Sequence, residues 1–181
     1  MDQKITLKYI IAIAGAVLFT WVLHEFMHWV TAELLGYDSI MRLNSVSTID
    51  GGEHAGWDGV YTSASGPLIT ILQATVVFLY LKAKGWNKWV YPLLFVPFYM
   101  RLLAGIMNFM MPNDEGRIGE FLGIGLFTIS IVVSGFLFFL VYKISRKYAL
   151  NWKFHLWTTL WVLSASSTLI MVDQFFSIRI L

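Results

Sequence analysis

His24, Glu25 and His28 lie in the pentad His24-Glu25-Phe26-Met27-His28, inside an apolar stretch long enough to cross a bilayer. Residues four apart on a helix share a face, so both imidazoles can aim a ring nitrogen at one divalent ion. The glutamate beside the first histidine is placed to take a proton from the water such an ion activates. A random arrangement of this composition would produce the pattern roughly 0.2% of the time. The plainer reading, two histidines hydrogen-bonding between helices, leaves Glu25 unexplained at a depth where ionisable groups are costly.

Two histidines leave a catalytic ion one protein ligand short. Glu33 is the nearest carboxylate, but five residues beyond His28 it points about 140° around the helix. Asp114 is the better candidate, because it follows Pro112 and Asn113, where the backbone leaves a helix at the pentad's end of the chain's spans. Asp50, Glu53, His54 and Asp58 compete with it from a glycine-rich loop that could fold over the site. The chain has no cysteine, so neither a thiolate site nor a disulfide exists. Histidine and carboxylate ligands suit Zn2+ or another borderline divalent ion.

Other polar residues fall within apolar segments. Arg101 either binds a substrate carboxylate or an oxyanion, or is paired with Asp173 or Glu120. Asn108, seven residues on and near the same helix face, either meets the substrate backbone or reaction oxyanion or bonds between helices. Asp173 reads as a structural partner rather than a ligand. Ser63-Ala64-Ser65-Gly66 are small enough to let the second span approach the first closely.

The elements that must position these residues are membrane helices. Of 181 residues, 57% are hydrophobic and 13% charged, about half the charged fraction of an ordinary soluble domain, and mean hydropathy is +0.67. Five helical spans are expected, near Lys8–Leu35, Thr62–Leu81, Trp89–Met111, Arg117–Tyr142 and Phe154–Ile178. A polar stretch over Gly36–Val60 separates the first two. Its Gly51, Gly52, Gly56 and Gly59 are expected to break any helix, and Ser39–Leu43 alternates weakly enough for a short strand or hairpin. The fold expected is an all-α membrane protein, residues 1–181 forming one integral membrane domain. Lys4 and Lys8 precede the first span, which is too long for a signal peptide's apolar core and carries the pentad, so it is expected to remain in the mature protein.

Nine Lys and Arg residues (Lys4, Lys8, Lys82, Lys84, Lys88, Lys143, Arg146, Lys147, Lys153) lie at one set of span ends, against Arg42, Arg117 and Arg179 at the other. The positive-inside rule puts the first set, with the N-terminus, in the cytoplasm and the pentad toward the opposite side. The setting expected is a bacterial cytoplasmic membrane. A net charge of +2 gives no reason to expect nucleic acid as a partner.

The pentad, Ser65-Gly66-Pro67-Leu68 at the head of the second span, and Asn108-Phe109-Met110-Met111-Pro112 followed by Asp114-Glu115-Gly116-Arg117-Ile118 occur in that order. Together they resemble the site-2 protease family of intramembrane zinc metalloproteases. The resemblance covers about residues 20–120. It implies a catalytic core over about 8–142, with the span near 154–178 outside it. It further implies His24, His28 and Asp114 as zinc ligands and Glu25 as general base. There are departures: Thr70 stands where the family often has Asn, Glu115 replaces a Gly, and the Pro112-to-Asp114 interval is short, which leaves Glu115 as an alternative third ligand to the favoured Asp114. Family members also usually open toward the cytosol, opposite to the charge count here.

The function expected is hydrolysis of peptide bonds in transmembrane substrates by zinc-activated water. The substrate would present an extended strand, for which a hairpin near Ile40–Leu43 offers an edge. Two alternatives are a membrane metallohydrolase acting on a lipid or lipidated peptide and a non-enzymatic metal-binding or transport protein.

Overall fold

A computed structural model describes residues 2–52, 54 and 56–181. The order is α1 (Leu7–Leu34), β1 (Ser39–Met41), β2 (Val46–Thr48), α2 (Gly56–Lys84), α3 (Tyr91–Met107), α4 (Asp114–Phe121), α5 (Thr128–Lys147) and α6 (Trp152–Phe176). Helices α1, α2, α5 and α6 are long and apolar enough to cross a membrane, and α3 is a shorter apolar helix of 17 residues. At 1.5 Å per residue α3 is about 26 Å long, just under the ~30 Å of a hydrocarbon core. The third span is therefore shorter than the expected Trp89–Met111, because the chain turns after Met107 on its way to Pro112.

Helix α1 is apolar on nearly every side, so burial rather than composition marks its core face. Tyr9, Ile13, Val17, Thr20, His24, His28 and Ala32 are buried at intervals of three or four residues. The pentad thus continues the stripe that packs the core, in which Tyr9, Ile13, Trp21, Tyr91, Leu137 and Phe154 belong to one cluster.

Two expectations about the connections need correction. The span expected over Arg117–Tyr142 is two helices, α4 and α5. Gly123 and Gly125 sit at φ +68° and +95°, and Gly119 packs so closely on the Gly125 carbonyl that a Cβ would overlap it. The break frees α4 to carry Asp114 and Glu115 in its first turn. The polar loop also ends earlier than Val60, because α2 already begins at Gly56. Gly56 opens that helix at φ +56°, and Gly59 lies against the His54 carbonyl, so these glycines start the helix instead of breaking it.

Strand β1 pairs antiparallel with β2, Ser39 opposite Thr48 and Met41 opposite Val46. The outer edge of β1 is filled by the chain itself. The Ser39 N–H donates to Glu33 (2.8 Å), the Trp29 indole donates to the Ser39 carbonyl (3.2 Å), and Met41 exchanges hydrogen bonds with Ile180 and Leu181. The strand edge expected at Ile40–Leu43 is therefore taken. The far side of β2 has no neighbouring strand among the described residues. Asp173 accepts from the Leu43 N–H (3.2 Å), so it ties α6 to the hairpin.

The lysine-bearing helix ends gather at the opposite end of the bundle. Lys147 Nζ donates to the Lys82 carbonyl (2.7 Å), Tyr148 Oη to the Leu81 carbonyl (2.6 Å), and Lys88 Nζ pairs with Asp2 (3.0 Å).

Candidate metal centre

Four elements meet at the pentad. From α2, the Thr62 carbonyl lies 2.6 Å from His28 Nδ1. A carbonyl can only accept, so Nδ1 carries the proton, and in the neutral ring His28 Nε2 keeps a lone pair. The local sequence of α2 makes this approach possible. Gly66 has no side chain, and a Cβ there would overlap both the His24 and His28 rings. Pro67 has no N–H, which removes one helix hydrogen bond from the same turn. Ser65 Oγ also donates to the Thr62 carbonyl (2.7 Å).

From α3, Arg101 is 2% exposed and points its Nη2 at His24 Nε2 (3.3 Å). A guanidinium only donates, so His24 Nε2 is a lone pair as well. Arg101 Nη1 reaches Asp114 Oδ2 (3.3 Å) and Glu115 Oε1 (3.2 Å). The expected pairing of Arg101 with Asp173 or Glu120 is thus incorrect. Those residues lie on α6 and at the far end of α4, whereas the first turn of α4 faces Arg101 directly.

Asp114 is placed by the joint between α3 and α4. Asn108 Oδ1 accepts from the Asn113 N–H (2.7 Å), and Asn113 Nδ2 donates to the Ala104 carbonyl (2.8 Å). Asn108 Nδ2 is committed to Ser130 Oγ (3.0 Å) and the Leu126 carbonyl (3.4 Å). Asn108 therefore holds the joint and offers no amide hydrogen to an oxyanion, which corrects that part of the expectation.

The outcome is a triangle of lone-pair atoms. His24 Nε2 and His28 Nε2 are 3.1 Å apart, and Asp114 Oδ2 lies 3.2 Å and 3.5 Å from them. Ligand bonds of ~2.0–2.2 Å at tetrahedral angles require edges of about 3.3–3.6 Å, close to these distances. With both rings neutral, three such atoms repel unless a cation, a metal ion or a proton, lies among them. His24, His28 and Asp114 form a group that could hold a metal ion.

The charge balance is compatible with a bound cation. Glu25 and Glu115 are 7% and 1% exposed, and Glu25 makes no hydrogen bond or ion pair among the described residues. In their ionised forms Glu25, Asp114 and Glu115 outweigh Arg101 by two negative charges, which a divalent ion would cancel. Buried charge without compensation is strongly unfavourable.

The competing ligands stand elsewhere. Asp58 accepts from Tyr37 Oη (2.9 Å), and exposed Asp50 accepts from the Gly52 N–H (3.0 Å), an interaction that holds its carboxyl below the usual range. His54 packs edge-on against Tyr37, and partial burial lowers its pKa. Glu53 lies outside the described residues. Composition and spacing did not reveal the Glu115 contact to Arg101 or the Thr62 carbonyl. Gly66 among the small residues at the head of the second span was the one available signal for the latter, since it lets α2 approach the two rings.

Compared with models of known protein families, with curated proteins and with solved structures, the chain matches none.

Proposed function

We propose that this chain is an integral membrane zinc metallopeptidase of the site-2 protease type, acting on membrane-embedded peptide substrates. The observation that carries the reading is the convergence of three potential ligand atoms from His24, His28 and Asp114 near a buried carboxylate, Glu25, that has no partner among the described residues. In this reading α3 also crosses the membrane, making five spans, and the lysine-rich end faces the cytoplasm under the positive-inside rule.

His24, His28 and Asp114 would hold the ion, which is expected to lower the pKa of bound water toward ~7 and polarise the scissile carbonyl. Glu25 takes the proton from the attacking water and returns it to the leaving amine. The hydrogen bond from His28 Nδ1 to Thr62 fixes that ring's tautomer and orientation, as outer partners of metal ligands commonly do. The polar residues between α1 and α2 lie at the same end and supply the route for water. An extended substrate would pair along β2, since the outer edge of β1 is filled.

The test uses the purified full chain in detergent, assayed for zinc and for cleavage of a transmembrane peptide, with extracted lipids in parallel. One zinc per chain and peptide cleavage that falls about 10²–10⁴-fold in Glu25→Gln, with zinc retained, are expected. Undiminished cleavage in that variant would exclude the mechanism, and turnover of lipid alone would replace the substrate class.

A further inference from the structure

Arg101 has more hydrogen-bond donors than the protein uses. Nη1 is engaged by both carboxylates of α4, while Nε is buried with no partner among the described residues. Nη2 meets only the lone pair of His24 Nε2, 3.3 Å away. An ion held by His24 would take that lone pair and leave Nη2 facing the three side chains without an acceptor among the described residues. Buried donors of a charged group are costly to leave unpaired. A guanidinium presents its donors in a rigid planar fork, so anchoring Nη1 between Asp114 and Glu115 also fixes where Nη2 and Nε point.

We infer that Arg101 is the electrophilic residue of this centre and binds an anionic oxygen beside the ion. The group it recognises is a carbonyl oxygen acquiring negative charge, and more generally any small oxyanion. This deepens the hydrolytic reading and rests on it. When the water oxygen bonds to the amide carbon, its proton passes to Glu25 and the carbonyl π electrons move onto oxygen, where Nη2–H donates. As the C–N bond breaks, those electrons re-form the carbonyl and the Glu25 proton goes to the departing nitrogen. Asn108 cannot take this part, because its amide hydrogens are held by Ser130 and Leu126. Glu115 is the positioning residue: its Oε1 contact to Nη1 turns the guanidinium toward the ligands.

The experiment compares the full-length protein with Arg101→Gln and Arg101→Lys. Metal content, kcat and KM are measured, together with the affinity of the cobalt-loaded protein for inorganic phosphate, followed through the visible absorption of the ion. Arg101→Gln is expected to keep its metal and lose about 10²–10³-fold in kcat, with KM little changed. Its phosphate affinity should fall by at least tenfold, with partial recovery in Arg101→Lys. Unchanged phosphate binding and kcat would overturn the assignment. So would loss of metal from both variants, because Arg101 would then only position Asp114. If the wild-type protein cleaves no peptide but its phosphate affinity still depends on Arg101, the peptidase reading fails and the oxyanion site stands.

Discussion

Two buried cations, one at each end of the bundle, show how this protein treats charge in two ways. Lys88, 5% exposed, donates to Asp2 and to the Lys4 carbonyl, and its ammonium lies over the Tyr9 and Trp89 rings at 5.4 Å and 5.5 Å. Asp2 accepts from the Lys4 backbone as well as from Lys88, which holds its carboxyl below the usual range. That cluster is self-sufficient. Arg101 is buried as deeply, yet its Nε has no partner among the described residues, nor do Glu115 Oε2 and His24 Nδ1 on the side chains it contacts. A buried ion that only joins helices uses its own polar atoms, whereas the proposed centre would keep some in reserve for a ligand.

That contrast can be broken most decisively at a ligand. His28→Ala should abolish stoichiometric metal binding, measured by elemental analysis, because two donors do not hold a catalytic ion. Gly66→Ala should come next. The added methyl overlaps both imidazoles, so metal should be lost along with about 1–3 kcal/mol of stability in thermal or denaturant unfolding. Gly15→Ala on α1, where a Cβ would meet nothing within 4 Å, should leave metal content unchanged. If the two glycine variants behave alike, close approach of α2 is not what shapes the site.

Asn108→Ala should weaken metal binding about 10–100-fold in a competition titration, since the joint that aims Asp114 loses its anchor. The smallest effect is expected at the other end. Lys88→Met should change metal affinity by less than about twofold and stability by under ~1 kcal/mol, because its carboxylate partner is exposed. A large loss of metal in Lys88→Met would show that the two ends are not independent.

Legibility in the sequence followed the range of the interaction. The pentad could be read because i and i+4 on a helix are neighbours whatever the surroundings. Apolar runs gave the long helices for a similar reason: their length and composition are local properties. Gly123 and Gly125, by contrast, were hidden inside a run that looked continuous, and they divide α4 from α5. Arg101 could be marked as unusual from its position, but its partners came from the start of α4, beyond a turn whose path no local pattern fixes.

By itself, then, the sequence determined a helix-rich architecture with helices long and apolar enough to cross a membrane, the His24-Glu25-His28 unit and Asp114 as the favoured third metal-ligand candidate. Tertiary structure alone decided which face of α1 is buried, because a helix apolar on nearly every side carries no compositional mark of its core. It also decided that Gly66 admits α2 to the two rings, that Asn108 anchors the joint before α4, and that Glu115 contacts the Arg101 guanidinium whose other arm meets His24. Each of these depends on a contact between distant segments, set by how closely the helices pack and by where each buried donor finds its acceptor.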